Sequence, residues 1–197
     1  MYKLLRLLSA TDPELAIHGR RTARLARDLA IRLALPADHV ERIQVAAALH
    51  DVGKLFVPRD ILDQPGPLTA DQWVELRHHP RMGYEMIRDW VPAEVAQVVL
   101  THHERFDGTG YPNAITGSAI PFDARILQVA DAVDAITSVR PYKPALPFEY
   151  AIDEVERCSG TQFDPAVAEA FMTLALRPEW RARHTPESME LVDELAG

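Results

Sequence analysis

The sequence contains one cysteine, Cys158, so no disulfide can form within the chain. A lone cysteine is typical of proteins that fold in a reducing compartment. Long apolar runs are also missing, because the leucine-rich residues 1–8 are interrupted by Arg6 and are far too short for a membrane span or a signal core. We therefore expect a cytoplasmic protein that does not insert into a membrane.

Positive charge is scarce as well. Lysine and arginine total 21 against 29 acidic residues, which gives a net charge of -8. Binding to a nucleic acid polymer needs a concentrated basic face, so this balance argues against such a partner. A small nucleotide is still compatible, because a metal ion and a few local cations can hold it. The Gly-x-Ser-x-Gly motif of serine hydrolases is absent, and Cys158 has no histidine nearby in sequence.

Helical periodicity is the dominant pattern, in a chain of 197 residues that is long enough for one domain with a buried core. Helix starts are indicated at Asp12-Pro13, at Pro36 and at the capping box Thr69-x-x-Gln72. Pro80 indicates a helix break at His79, with a further helix from Arg81. Later helices are predicted over 122–138, 147–158, 165–175 and 186–195. With no convincing strand alternation, we predict an all-α fold.

Histidine is the unusual residue of this sequence. Of the eight histidines, six lie at or near the inward face or the end of a predicted helix: His18, His50, His78, His79, His102 and His103. Asp51 follows His50 directly, and Asp131 lies on a semi-buried helix face. Helices that each direct one or two His, Asp or Glu side chains inward build the metal sites of helical bundles. Imidazole and carboxylate ligands without thiolate suit iron, manganese, zinc or another divalent ion.

More than four candidate ligands imply more than one metal, and Asp51 is our candidate bridge between two of them. A pair of metals lowers the pKa of a shared water and clamps the oxygens of a phosphodiester. The phosphate would still carry negative charge beside the metals. We expect three cationic side chains to neutralise it: Lys54, Arg140 and Lys143. The long glycine-rich loop over 105–121 is of the kind that is usually functional.

Several of these residues also have a plainer interpretation. Taken alone, Glu14 and His18 fit a helix cap and a core histidine, and Lys54 fits a cation at a helix C-terminus. Asp134 is either an acceptor that orients a ligand histidine or a helix-face charge. Gly53 fits a helix C-cap. We expect His39, His78 and His184 at the surface, and the three tryptophans, Trp73, Trp90 and Trp180, in packing.

Two motifs resemble a known family. His50-Asp51-x-Gly53-Lys54 resembles the HD superfamily of phosphohydrolases, and the run from His102-His103-Glu104-Arg105 to Gly110-Tyr111-Pro112 is similar to the signature of its HD-GYP subfamily. The likeness continues through Asp131, Asp134 and Arg140-Pro141-Tyr142-Lys143 and covers roughly residues 12–172. It implies a compact helical bundle of the HD-domain type with a bi- or trinuclear metal site at its centre.

The resemblance also implies an activity, the hydrolysis of cyclic di-GMP to pGpG or on to GMP through attack of a metal-bridging hydroxide. It places metal ligands on His50, Asp51, His79, His102, His103 and Asp131, and it makes Glu14 and His18 the ligands of a third metal. The ions would be two or three divalent metals, with iron or manganese favoured over zinc, magnesium, cobalt or nickel. Asp51 and Lys54 would be catalytic, and the substrate would contact Lys54, Arg140, Lys143 and Tyr111.

The loop Gly110-Tyr111-Pro112 is tied in this family to activity and to contacts with diguanylate cyclase domains, which would make such domains a partner. Three positions depart from the family pattern: Thr109, Ala114 and Val139. None of them removes a ligand, although Ala114 stands where glycine is common and could stiffen the loop.

For domain organisation we expect a leading helix or the end of a connecting helix over 1–11, the catalytic domain over 12–176, and a polar extension with a short helix over 177–197. The leucine-rich first ten residues fit either a connecting helix, since the family usually carries a sensory or receiver domain N-terminally, or a contact within a homodimer. Two alternatives to the main function stay open: an HD phosphohydrolase that acts on another nucleotide, and a catalytically silent module that senses a ligand or binds a cyclase.

Overall fold

α-Helices joined by loops form the part of the chain that the structure, a computed structural model, describes, which is residues 2–139 and 144–184. Within that part the helices are α1 (Tyr2–Thr11), α2 (Pro13–Arg32), α3 (Ala37–Leu49), α4 (Arg59–Leu62), α5 (Ala70–Leu76), α6 (His79–Ile87), α7 (Ala93–Thr101), α8 (Phe122–Thr137), α9 (Phe148–Arg157), α10 (Pro165–Ala175) and α11 (Pro178–Ala182). Short 3-10 turns lie at Val52–Phe56 and Gly117–Ala119. The described residues contain no β-strand, which confirms the all-α prediction. Among them, no helix has both the length and the apolar character needed to cross a bilayer.

The helix starts follow from the capping residues that the sequence indicates. An Asp12 side-chain oxygen accepts a hydrogen bond from the Leu15 amide at 3.0 Å, ahead of α2. Thr69 and Gln72 form a reciprocal capping box at the start of α5. Pro80 lies in the first turn of α6, which therefore begins two residues earlier than the predicted start at Arg81. That position suits proline, because the first turn of a helix needs no amide donor there.

Helices α2, α3, α7 and α8 surround the apolar core. The longest helix, α2, packs against both α3 and α8, and α3 also packs against α7. Leu29 of α2, Ile43 of α3 and Ile126 of α8 are at most 1% exposed. Burial of such side chains stabilises the fold by roughly 1.5–3 kcal/mol each. This packing brings the C-terminal ends of α3 and α7 to one place, where the candidate ligands lie.

The packed unit extends past the expected boundaries at 12 and 176. Leu8 of α1 belongs to the hydrophobic core. At the other end, Trp180 is 2% exposed, and its Nε1 donates to an Asp28 side-chain oxygen at 2.8 Å. Residues 177–184 therefore pack with the domain, while the helix predicted over 186–195 lies outside the described residues.

Two expectations about single side chains are wrong. His184 is buried rather than exposed, because its ring stacks on Trp180 at 4.2 Å between centroids. Trp90 is 75% exposed rather than packed, and Trp73 is also exposed. Trp180 confirms the packing expectation, and His78 is exposed as predicted.

Candidate metal centre

Three histidines at helix ends share one local geometry. His50 and His102 follow the last turns of α3 and α7, and His79 is the first residue of α6. In each ring Nδ1 lies 2.7 Å from the carbonyl oxygen of the residue three positions earlier: Ala47, Val99 and Leu76, respectively. A carbonyl can only accept, so Nδ1 carries the proton and donates it. Nε2 is then the ring nitrogen left to bind a metal on all three rings.

These Nε2 atoms converge on Asp51. Its Oδ1 lies 3.2 Å from Nε2 of His79 and 3.8 Å from Nε2 of His102. Its Oδ2 lies 3.3 Å from Nε2 of His50 and 3.6 Å from Nε2 of His18. One carboxylate oxygen therefore faces each of two groups of histidines, as expected for a carboxylate that bridges two cations.

The two groups are distinct sets of ligand atoms that share Asp51. We name them the distal half, formed by Asp51, His79, His102 and His103, and the proximal half, formed by His18, His50 and Asp51; in each set the ligand atoms lie within 4.8 Å of one another. Asp131 of α8 joins the proximal half, because its Oδ1 lies 3.1 Å from Nε2 of His18 and 3.7 Å from Nε2 of His50.

Two observations test whether these residues fit metal ions. Nε2 of His79 and Nε2 of His102 are 3.4 Å apart although both rings donate through Nδ1, so two lone pairs face each other. In addition, Asp51 Oδ1 is buried and accepts no hydrogen bond from the described residues. A buried oxygen is seldom left without a partner. A divalent cation satisfies both groups at once, so the donor set fits.

The electrostatics of the site point the same way. Burial opposes a proton on His50, but the charges of Asp51 and Asp131 outweigh it and raise the pKa of His50 to about 10. Burial also opposes charge on Asp51, yet His50 and Lys54 hold its pKa well below the usual range. In the distal half, burial and the neighbouring imidazole of His79 lower the pKa of His103 to about 3. Positive charge is thus drawn toward the two carboxylates.

His18 is held differently from the other rings. Its Nδ1 lies 2.7 Å from Oδ2 of Asp134, which is fully buried in α8. The other oxygen of Asp134 accepts from Arg21 at 2.8 Å and from Ser138 at 3.0 Å. Of the two interpretations of Asp134, the structure shows the first, an acceptor that orients a histidine. Arg21 was not predicted from the sequence, because nothing in the periodicity of α2 distinguishes it from the other arginines of that helix.

Lys54 lies beside the shared carboxylate. Its Nζ is 2.5 Å from Asp51 Oδ2, and it is positioned by the 3-10 turn. The sequence suggested that Gly53 caps a helix. In the structure Gly53 lies inside that turn instead. A Cβ added to Gly53 would come within 2.0 Å of the His79 carbonyl oxygen. The absence of a side chain therefore lets the turn that carries Asp51 approach the segment that carries His79.

The glycine-rich loop packs beside His103. The Tyr111 ring stacks on the His103 ring with 4.9 Å between centroids, and the Tyr111-Pro112 peptide bond is cis. Burial raises the pKa of Tyr111 above its ordinary value. Glu104, which is 1% exposed, accepts hydrogen bonds from the amides of Asn113 and Ile115 at 2.7 and 3.1 Å. Through these hydrogen bonds Glu104 holds the loop in its conformation. The sequence motif contains Glu104, but the sequence did not reveal this role.

One predicted metal ligand lies apart from this centre. Glu14 is exposed in the first turn of α2 and belongs to neither half among the described residues. Arg140 and Lys143 lie outside the described residues. All other predicted ligands, His18, His50, Asp51, His79, His102, His103 and Asp131, are brought together within the two halves.

Comparison with protein families agrees with this geometry. The HD domain model matches residues 3–167. The chain therefore belongs to the HD domain family, and the expectation of an HD-type helical fold is confirmed. An HD domain implies bound divalent metal ions.

Two curated relatives and one solved structure are similar to the chain. The cyclic di-GMP phosphodiesterase response regulator RpfG of Xanthomonas campestris is 38% identical over 86% of this chain and 46% of its own length. The 3'3'-cGAMP-specific phosphodiesterase 2 of Vibrio cholerae is 33% identical over 87% of the chain and 34% of its own length. A crystal structure of a cyclic GMP-AMP phosphodiesterase of V. cholerae, V-cGAP3, matches with a TM-score of 0.69 at 19% identity, over 90% of this chain and 48% of its own. The chain spans less than half the length of these proteins.

Proposed function

We propose that this domain is a metal-dependent phosphodiesterase that hydrolyses cyclic di-GMP to pGpG, GMP or both. The observation that carries the proposal is the position of Asp51, with one carboxylate oxygen toward each half of the centre. The names of relatives such as RpfG support the substrate. A bridged pair of divalent ions, when bound, supplies an activated water and counter-charge for a phosphodiester.

Side chains of this domain would hold the metal ions and contact the substrate. Asp51 would hold both halves together, and His18, His50 and Asp131 would form one ligand set beside His79, His102 and His103. Lys54, whose Nζ lies 2.5 Å from Asp51 Oδ2, would exchange this ion pair for one with a phosphate oxygen of the substrate. Arg140 and Lys143 would add positive charge on the substrate side, and Tyr111 would contact the substrate next to His103.

The identity of the ions is part of the proposal. The donor set of imidazoles and carboxylates without thiolate suits iron or manganese, with zinc, magnesium, cobalt and nickel as the alternatives. The exposed position of Glu14 gives no support to a third metal, so two ions are the simpler expectation. Metal counting on protein purified anaerobically without chelator tests the number.

A product-resolved assay tests the function. Protein loaded with iron or manganese is incubated with cyclic di-GMP, 3'3'-cGAMP and pGpG, and the products are separated chromatographically. We expect turnover of cyclic di-GMP that chelation abolishes and that His102→Ala reduces to background. Turnover of 3'3'-cGAMP alone would instead favour the second candidate, a cGAMP phosphodiesterase, for which the relative from V. cholerae is the specific support.

Three further expectations stay predictions. A cytoplasmic location agrees with a single cysteine, the free and buried Cys158. A diguanylate cyclase domain would bind at Gly110-Tyr111-Pro112, and a homodimer would use α1. Co-purification with a cyclase domain and sedimentation of the purified protein test the last two.

A further inference from the structure

A row of stacked side chains extends outward from the distal half of the metal centre. The first member is His103, and Tyr111 stacks on it with an interplanar angle of 30°. The guanidinium carbon of Arg77 lies 5.3 Å from the centroid of the Tyr111 ring and 5.8 Å from the centroid of the Trp73 ring. The row therefore runs from a candidate metal ligand to an exposed tryptophan, with an arginine between two aromatic rings.

Helix α5 sets the position of Arg77. The Thr69 capping box fixes the start of this helix, and the Arg77 amide donates to the Trp73 carbonyl at 3.0 Å at its end. Residues four apart lie on one face of a helix, so the guanidinium meets the Trp73 ring. Cation–π contacts with two rings orient the guanidinium plane before any ligand arrives.

The donors of Arg77 are unused within the described residues. Arg77 is exposed, and neither a carboxylate nor a hydrogen-bond acceptor contacts its guanidinium there. A guanidinium carries five N–H donors in a fixed fork. An oriented fork with free donors, flanked by aromatic faces, is suited to a planar ligand that presents two adjacent acceptors.

We propose that Arg77 recognises a guanine base of the substrate through O6 and N7, with the exposed ring of Trp73 supplying a face on which the base stacks. Arginine paired with O6 and N7 is the commonest specific contact to guanine, whereas adenine presents an amino donor at the same edge. Aromatic side chains provide the stacking that holds unpaired bases. The proposal rests on the proposed function, because a dinucleotide whose phosphate lies beside His103 carries a base next to this row.

Four proteins test the proposal: the metal-loaded wild type, Arg77→Ala, Arg77→Lys and the control Arg81→Ala, which removes an exposed arginine from the neighbouring helix α6. The substrates are cyclic di-GMP, cyclic di-AMP and bis(p-nitrophenyl) phosphate, a phosphodiester without bases. For both Arg77 variants we expect kcat/KM for cyclic di-GMP to fall about tenfold or more. The loss should appear mainly in KM and should be much larger than the loss on bis(p-nitrophenyl) phosphate.

The ratio of kcat/KM for cyclic di-GMP to kcat/KM for cyclic di-AMP should fall in both Arg77 variants and stay unchanged in Arg81→Ala. Restoration of cyclic di-GMP turnover by lysine would overturn the proposal in favour of a simple charge contact with phosphate, since lysine keeps the charge but not the fork. Equal losses of kcat/KM on all three substrates, or no loss, would also overturn it.

The failure of this inference can be told from the failure of the proposed function. A wild-type protein that cleaves bis(p-nitrophenyl) phosphate but not cyclic di-GMP would refute the proposed function, and this inference with it. An Arg77→Ala enzyme with unchanged activity on cyclic di-GMP would refute the inference alone.

Discussion

The proximal half of the metal centre contains a histidine, His18, that a carboxylate orients, whereas His79 and His102 of the distal half are oriented by the backbone. In the distal half, His79 and His102 donate to carbonyls of their own chain segments, three residues away. In the proximal half, His50 also donates to a local carbonyl, that of Ala47, but His18 donates to Asp134, a residue 116 positions later in the chain. His79 and His102 are therefore oriented by local backbone, while His18 depends on the packing of α8 against α2.

This difference has consequences for charge as well as for geometry. Backbone carbonyls are neutral acceptors, whereas Asp134 is a buried carboxylate that Arg21 neutralises. A carboxylate acceptor makes the opposite nitrogen of an imidazole a stronger metal ligand. We therefore expect the proximal half to lose its metal when a single remote residue changes, and the distal half to be insensitive to that change.

Asp51→Ala should have the largest effect, because this carboxylate serves both halves. We expect metal binding to fail in both and kcat for phosphodiester hydrolysis to fall by about a thousandfold or more, as loss of several kcal/mol of transition-state stabilisation requires. Elemental analysis and the cyclic di-GMP assay measure the two effects. A variant with normal activity would show that the two halves do not work as one centre.

Asp134→Asn should weaken metal binding in the proximal half and leave metal binding in the distal half unchanged. The change keeps the size of the side chain but removes the charge that faces His18 and Arg21, and loss of such a supporting partner typically weakens metal affinity by about 10–100-fold. Titration of metal-free protein against a chromogenic chelator should show one weakened phase and one unchanged phase.

The control is Ser138→Ala, which removes one hydrogen bond to Asp134 and leaves its charge in place. We expect a smaller shift in the same phase. Equal weakening of both phases in Asp134→Asn would mean that the variant loosens the fold and that the halves are not independent.

The sequence predicted most of the described helices and most of the residues that the structure brings together at this centre. Capping residues such as Asp12 and Thr69 predict helix starts because their hydrogen bonds are local. The division of labour between the halves could not be predicted, because it depends on which distant residues meet. Neither the contact of Arg21 with Asp134 nor the closeness of Gly53 to His79 has a signature in helical periodicity. For the same reason the sequence left both roles of Asp134 open.

Protons should distinguish the halves in a third way. His50 in the proximal half has a pKa of about 10 and is therefore charged at pH 8, whereas His103 in the distal half has a pKa of about 3 and is neutral there. Metal can bind only a deprotonated ring, so binding at pH 8 should release about one proton, from the proximal half. Because protons compete with metal at His50, affinity should rise as pH increases toward 10.

Calorimetry in two buffers of different ionisation enthalpy counts the released protons. The matched variant His50→Gln should bind metal more weakly and release none. Proton release that persists in His50→Gln would assign the titration to another group and remove this distinction between the halves.

Ala114→Gly should have the smallest effect, and it tests whether the loop beside the distal half contributes to metal binding at all. Ala114 has a φ of 52°, in the left-handed region that costs a non-glycine residue about 1–2 kcal/mol. Glycine removes this cost, but the unfolded chain gains about 0.4–1 kcal/mol of conformational entropy, so the free energy of unfolding should rise by up to about 1.6 kcal/mol. Urea denaturation measures the change, with Ala119→Gly in the 3-10 turn of the same loop as a control that should lower stability.

Because no atom of Ala114 belongs to either half, both phases of the metal titration of Ala114→Gly should stay unchanged. A weakened distal phase would mean that loop strain, and not only the Val99 and Leu76 carbonyls, holds the distal histidines in place.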